Sequence, residues 1–198
     1  MEPILTIIAL VAIGAAATYL LRRRRFRVWR AFARRHGLRF RGPKGKGTRR
    51  PAVKGSIDGR EVVLAVSRES SDTGVLGIEE ERLEVGLKCD VPTGLEIVQR
   101  VGVEELLDLE SFTTGDDAFD ARARVVADEP EAARAFLTAD RREALRRLLE
   151  GAEGHISGLE RGRLFIRRRT GAERIELLDD MLERLLRCAD EIDDHEVR

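Results

Sequence analysis

The chain has 198 residues, with 36 basic and 36 acidic side chains and a formal net charge of zero. The balance hides an asymmetry: residues 22–50 carry 14 Lys or Arg and no acid, whereas 51–198 carry 35 acids against 22 bases. A body at net −13 argues against general nucleic-acid binding by that part of the chain, because neutralising a phosphate backbone needs clustered positive charge.

The first predicted element is a transmembrane anchor over residues 1–21. Ile4 to Leu21 is 18 residues without a charge, about 27 Å as a helix and close to the hydrocarbon thickness of a bilayer. A cleaved signal peptide needs positive charge before the apolar run, and here the order is reversed. Glu2 precedes the run, and Arg22, Arg23, Arg24 and Arg25 follow it. Arginine gathers on the cytoplasmic side, so the N-terminus is expected outside and the rest of the chain in the cytoplasm. That corresponds to the inner membrane of a bacterium. Tyr19, near the charged end, suits an interfacial position.

Residues 22–37 predict a basic amphipathic juxtamembrane helix. At 100° per residue, Phe26, Trp29, Phe32 and Ala33 share one side, and Arg23, Arg27, Arg30 and Arg34 another. One expectation lays this helix in the headgroup zone of an anionic leaflet, with Arg22, Arg23, Arg24, Arg25, Arg27, Trp29, Arg30 and Arg34 as lipid-binding residues. The other makes the arginines topology signals and packs the aromatic residues onto the domain. Gly37 is a candidate left-handed cap.

Residues 38–51 predict a short strand and a basic loop. Gly42 to Pro51 lacks the G-x-x-x-x-G-K-[ST] spacing of a phosphate-binding loop. From 52 to 198 the pattern predicts one cytoplasmic α+β domain, an antiparallel sheet with helices packed against it. Ala52–Ile57 and Glu61–Val66 flank Asp58-Gly59, a strong hairpin signal. Leu83 to Val91 alternates as a strand with one buried face, and Pro92-Thr93-Gly94 is expected to turn it into a second hairpin with Leu95–Arg100. Val103–Leu109 reads as a short helix and Phe119–Ala127 as a strand. Pro130 opens a short helix to Leu137, and Thr138 caps the next. Ile156–Leu159 and Arg163–Arg168 form a last hairpin. A final helix from about Ala172 to Ile192 carries a stripe of Ile175, Leu178, Leu182, Leu185, Leu186 and Ala189.

Chemistry-bearing clusters are few. His36, His155 and His195 have no His or Cys at ligand spacing, and no nucleophilic triad has a signature here. Cys89 and Cys188 are isolated, as suits buried thiols in a reducing compartment. No cofactor is implied. The one candidate metal site is Asp116, Asp117 and Asp120 in Gly115-Asp116-Asp117-Ala118-Phe119-Asp120, since hard cations take several carboxylate oxygens. The competing reading is a turn whose Asp side chains bond local backbone while Phe119 anchors the core.

Trp29-x-x-Phe32-Ala33, Asp58-Gly59-Arg60-x-Val62, Gly115-Asp116-x-x-Phe119-Asp120, Phe136-Leu137-Thr138 and Gly162-Arg163-Leu164 follow one another in an order that resembles uncharacterised single-pass membrane-anchored proteins of high-GC bacteria. The resemblance spans residues 29 to about 168 and implies a shared fold, with no assigned activity and no catalytic residue. The function expected is a membrane-anchored binding or scaffold domain, with the bilayer and a protein as partners. The alternatives are a tethered enzyme using a carboxylate-bound divalent cation, and a sensor of anionic lipid working through the basic arm.

Overall fold

The computed structural model describes residues 14, 19–20, 23–42, 51–68, 79–100, 111–150, 154–168 and 174–194. Helix α1 covers 23–35, followed by β1 (Arg39–Arg41), β2 (Ala52–Ile57), β3 (Arg60–Arg68), β4 (Glu79–Gly86) and β5 (Glu96–Gln99). Next come α2 (Asp117–Asp120), β6 (Ala123–Val126), α3 (Pro130–Phe136), α4 (Ala139–Leu149), β7 (His155–Glu160), β8 (Arg163–Arg168) and α5 (Ile175–Asp193). The eight strands make one sheet in the order β1-β2-β3-β4-β8-β7-β5-β6, and every pair is antiparallel. The chain is α+β.

Turn chemistry sets two of the hairpins. Asp58 and Gly59 both take positive φ, as do Arg161 and Gly162, the backbone that a two-residue turn between twisted strands requires. Register then sorts the side chains. Val53, Leu64, Leu83 and Ile166 line one face and are fully buried, because α1, α4 and α5 pack there. In α5, Leu178, Met181, Leu182, Leu185, Ala189 and Ile192 form one buried stripe at helical spacing. Burying a leucine of this kind contributes about 1.5–3 kcal/mol.

Helix ends follow local rules. The Thr138 side chain accepts from the Arg141 N–H at the start of α4. Gly37, at φ +67°, ends α1: Leu38 N–H donates to the Ala33 carbonyl at 2.8 Å, a wrap that satisfies an orphan carbonyl.

Several sequence expectations need correcting. The strand expected from Leu83 to Val91 begins at Glu79 and stops at Gly86, because the Lys88 and Cys89 N–H groups turn away to the Asp193 carboxylate. No hairpin joins β4 to β5. The late β7–β8 hairpin lies between them, with β8 against β4 and β7 against β5. The strand expected over Phe119–Ala127 is shorter: α2 consumes its first residues and β6 starts at Ala123. β1 pairs with β2 across the loop before residue 52, and Trp29, Phe32 and Ala33 belong to the same core as the strands. The helix expected over 103–109 lies outside the described residues, as does most of the apolar stretch. Gly14, Tyr19 and Leu20 are helical and exposed. Among the described residues no helix is long and apolar enough to cross a membrane.

Candidate functional site

The arm is the first place to look, and its apolar face is already occupied. Trp29 and Phe32 are fully buried. The Trp29 indole Nε1 donates to Glu81 Oε1 at 3.0 Å, and the Glu81 carboxylate is itself buried. The Arg25 guanidinium lies 5.7 Å from the Phe26 ring centroid and 3.9 Å from Glu81. At the other end of α1, Arg35 and His36 both reach Asp179 of α5, His36 Nε2 at 2.8 Å from Oδ1. Trp29 is therefore a core residue and not a lipid contact, and Arg25 turns inward beside it. Arg22 lies outside the described residues; Arg23, Arg24, Arg27, Arg30 and Arg34 are exposed.

The acidic turn comes together, but the carboxylates of Asp116 and Asp120 are engaged. Asp120 accepts from the Thr114 N–H at 3.0 Å, from the Thr114 hydroxyl at 2.9 Å and from the Gly115 N–H at 3.2 Å. Asp116 caps α2 by accepting from the Phe119 N–H at 3.1 Å, and its second oxygen meets Arg142 Nε at 3.0 Å. The Phe119 N–H and then Arg142 hold its carboxyl below the usual range. Asp117 is exposed. Among the described residues no group of three His, Cys, Asp or Glu is arranged to hold a metal ion, and Asp116 and Asp120 bond within the turn.

The sheet face opposite the helices is the second place. There the Arg82 guanidinium stacks 4.0 Å from the centre of the buried Phe165 ring. It also meets Glu84 at 2.8 Å and Glu160 at 2.7 Å. Arg163 donates to Glu61 at 2.7 Å and holds that carboxyl below its ordinary value. Between these charges lies an open depression of about 380 Å³, lined by Ala65, Arg82, Glu84, Glu160, Arg161 and Arg163. Its mixed charge and shallow shape suit a polar protein surface more than an enclosed small molecule.

The third cluster is a clasp at the end of α5. Buried Arg60 donates to Asp190 at 2.8 Å and also to Asp193, which collects the Lys88 and Cys89 N–H groups as well. Burial opposes the Asp193 charge, but the hydrogen bonds from Arg60, Cys89 and Lys88 outweigh it and lower its pKa. Cys89 and Cys188 are buried free thiols, and burial pushes the Cys188 thiol up. His155 is half-buried on β7, and His195 lies outside the described residues. The roles of Glu81 and Arg60 escaped the sequence reading, and the acidic end from Asp190, expected as a solvated terminus or a contact for a basic partner, meets Arg60 of the same chain; a charged residue in line with a buried alternation was the available signal, visible for Glu81 two positions before Leu83.

Comparison with protein-family models, with curated proteins and with solved structures returns no match.

Proposed function

We propose that this protein is a single-pass membrane-anchored module of the bacterial inner membrane, whose cytoplasmic α+β domain binds a protein partner. The observation that carries the reading is the burial of Trp29, Phe32 and Ala33. The helix that follows the apolar stretch Ile4–Leu21 is part of the core, so an anchor there holds the domain without a flexible linker. Tyr19 and Leu20, 64% and 59% exposed, support the anchor as apolar surface that lies outside the core of the domain.

The binding surface is the open sheet face around Arg82, Phe165 and Arg163. One face of the sheet is under helices; the other offers fixed charges on a rigid lattice, which favours specificity in a polar interface. An enzymatic reading has less behind it, because two of the three carboxylates it requires, Asp116 and Asp120, already bond to Thr114, Gly115, Phe119 and Arg142.

In-cell crosslinking and affinity purification of the full chain tests this, run beside the variant with Arg161→Glu and Arg163→Glu. A protein captured with the native chain and lost with the variant is the expected result. Identical captures from the two would remove the sheet face as the binding surface.

A further inference from the structure

We propose that a basic rim, formed by the exposed face of α1 together with Arg39, Arg41 and Lys54 of β1 and β2, docks on the anionic headgroups of the bilayer and fixes the orientation of the domain. The proposal rests on the anchor reading and adds a second, electrostatic contact to it.

Pairing separates this rim from the rest of the molecule. Arginines across the body face carboxylates: Arg60 meets Asp190, Arg82 meets Glu160, Arg142 meets Asp116, Arg147 meets Glu191 and Arg163 meets Glu61. Arg23, Arg24, Arg27, Arg34, Arg39 and Arg41 are exposed and, among the described residues, have no ion pair. Arg30 lies over the Phe40 ring at 5.3 Å, with its charge left in solvent. Lys54 is exposed near Glu61. A fold that neutralises most of its arginines and leaves those of α1 and β1 without a carboxylate presents positive charge to an anionic partner from both faces of the β1 edge.

Connectivity says which partner. Phe40 packs against Phe26 with ring centroids 6.2 Å apart, so the end of β1 lies beside the first turns of α1, where the chain leaves for Ile4–Leu21. Glu81, near the start of β4, meets Trp29 and Arg25 at this same end. The opposite end of the strands carries Asp58, Asp90, Asp190, Asp193 and Asp194. The exposed arginines of α1 and β1 thus lie towards the anchor, and the exposed Asp58, Asp90 and Asp190 lie away from it. An anionic inner leaflet attracts the first and repels the second. The apolar face of α1 lies in the core, so the contact is with headgroups and not with acyl chains, and salt weakens it.

The test uses the full chain reconstituted into phosphatidylcholine vesicles with or without phosphatidylglycerol. A fluorophore is placed at Gly42→Cys beside the rim or at Asp90→Cys at the far end, and a quencher sits on the lipid headgroups. The native thiols are buried, so the new cysteine labels selectively. Quenching at Gly42→Cys is expected to be about threefold stronger in the anionic vesicles. It should fall to the neutral-vesicle value near 1 M salt, where the Debye length is about 3 Å. Arg27→Gln, Arg39→Gln and Arg41→Gln together should abolish the difference while leaving the melting curve unchanged. Equal quenching in both vesicles, or stronger quenching at Asp90→Cys, overturns the docking and leaves the anchor standing. Failure of the chain to float with either vesicle overturns the anchor and the docking with it.

Discussion

The indole of Trp29 and the carboxylate of Glu81, 52 residues apart in sequence, form a buried hydrogen bond of 3.0 Å. It joins the arm to the fourth strand of the sheet. Trp29→Phe keeps most of the ring volume but removes the donor from a buried charge, at a cost of about 1–3 kcal/mol. Trp29→Ala adds a cavity and should cost about 3–5 kcal/mol. Urea unfolding followed by circular dichroism separates the two. An unchanged midpoint for both variants would mean that α1 is not part of the domain.

The Arg60 clasp ties the end of α5 to the β2–β3 hairpin. Of its two carboxylates Asp190 is 65% exposed and Asp193 is 11% exposed, so Asp193 carries most of the interaction. Asp193→Ala leaves a buried guanidinium with one solvent-screened partner and frees two backbone N–H groups, a loss of about 3–5 kcal/mol. The sign of the pH effect follows from the lowered pKa of Asp193. Its stabilisation is complete above the unfolded carboxylate value of about 3.9 and is lost as pH falls through the lower folded value. Urea midpoints between about pH 5 and pH 2 should fall less steeply in Asp193→Asn than in the native chain.

How much of this was legible depends on where each deciding partner lies. The Asp58-Gly59 hairpin, the Thr138 cap and the α5 stripe depend on neighbours within a turn or two, and local sequence shows them. The Leu83 strand was visible, but its end was not, because the acceptor for the Lys88 and Cys89 N–H groups is Asp193, about a hundred residues later. Its beginning was hidden by Glu80 and Glu81, charges in buried positions that break the apolar alternation. The stripe of Trp29 and Phe32 fits a membrane surface and a protein core equally well, and only the contact with Glu81 decides between them. The basic rim was half legible. Its charge shows in the sequence, whereas the missing ion pairs of Arg23, Arg27, Arg39 and Arg41 among the described residues and the placing of β1 beside the start of α1 come from the fold.

Gly158 sits in β7 between β5 and β8, with no room for a side chain. A Cβ added there would meet the Ile97 carbonyl oxygen at 2.0 Å and the Phe165 ring at 3.1 Å. Gly158 pairs with Val98 of β5 and with Phe165 of β8, so neither neighbour can retreat without opening a ladder. Gly158→Ala should therefore cost about 3 kcal/mol, at the upper end for an overpacked site. Gly42→Ala, which adds a Cβ only at ordinary contact distance from Phe40, should be close to neutral. Thermal melts of the two variants check the contrast.

Asp120 separates a turn from a metal site in one pair of measurements. Its oxygens accept from the Thr114 N–H, the Thr114 hydroxyl and the Gly115 N–H, which leaves little lone-pair capacity for a cation that wants six or more oxygens. Asp120→Ala should destabilise the domain by about 1–3 kcal/mol through the orphaned donors. Asp120→Asn, which keeps an acceptor oxygen, should recover part of that loss. Neither variant nor the native chain should gain thermal stability from magnesium, calcium or manganese. A saturable rise in melting temperature with one of these ions, present in the native chain and absent from Asp120→Ala, would convert the turn into a cation site. It would also restore the enzymatic reading, because a ligand that binds only the folded state stabilises it by mass action.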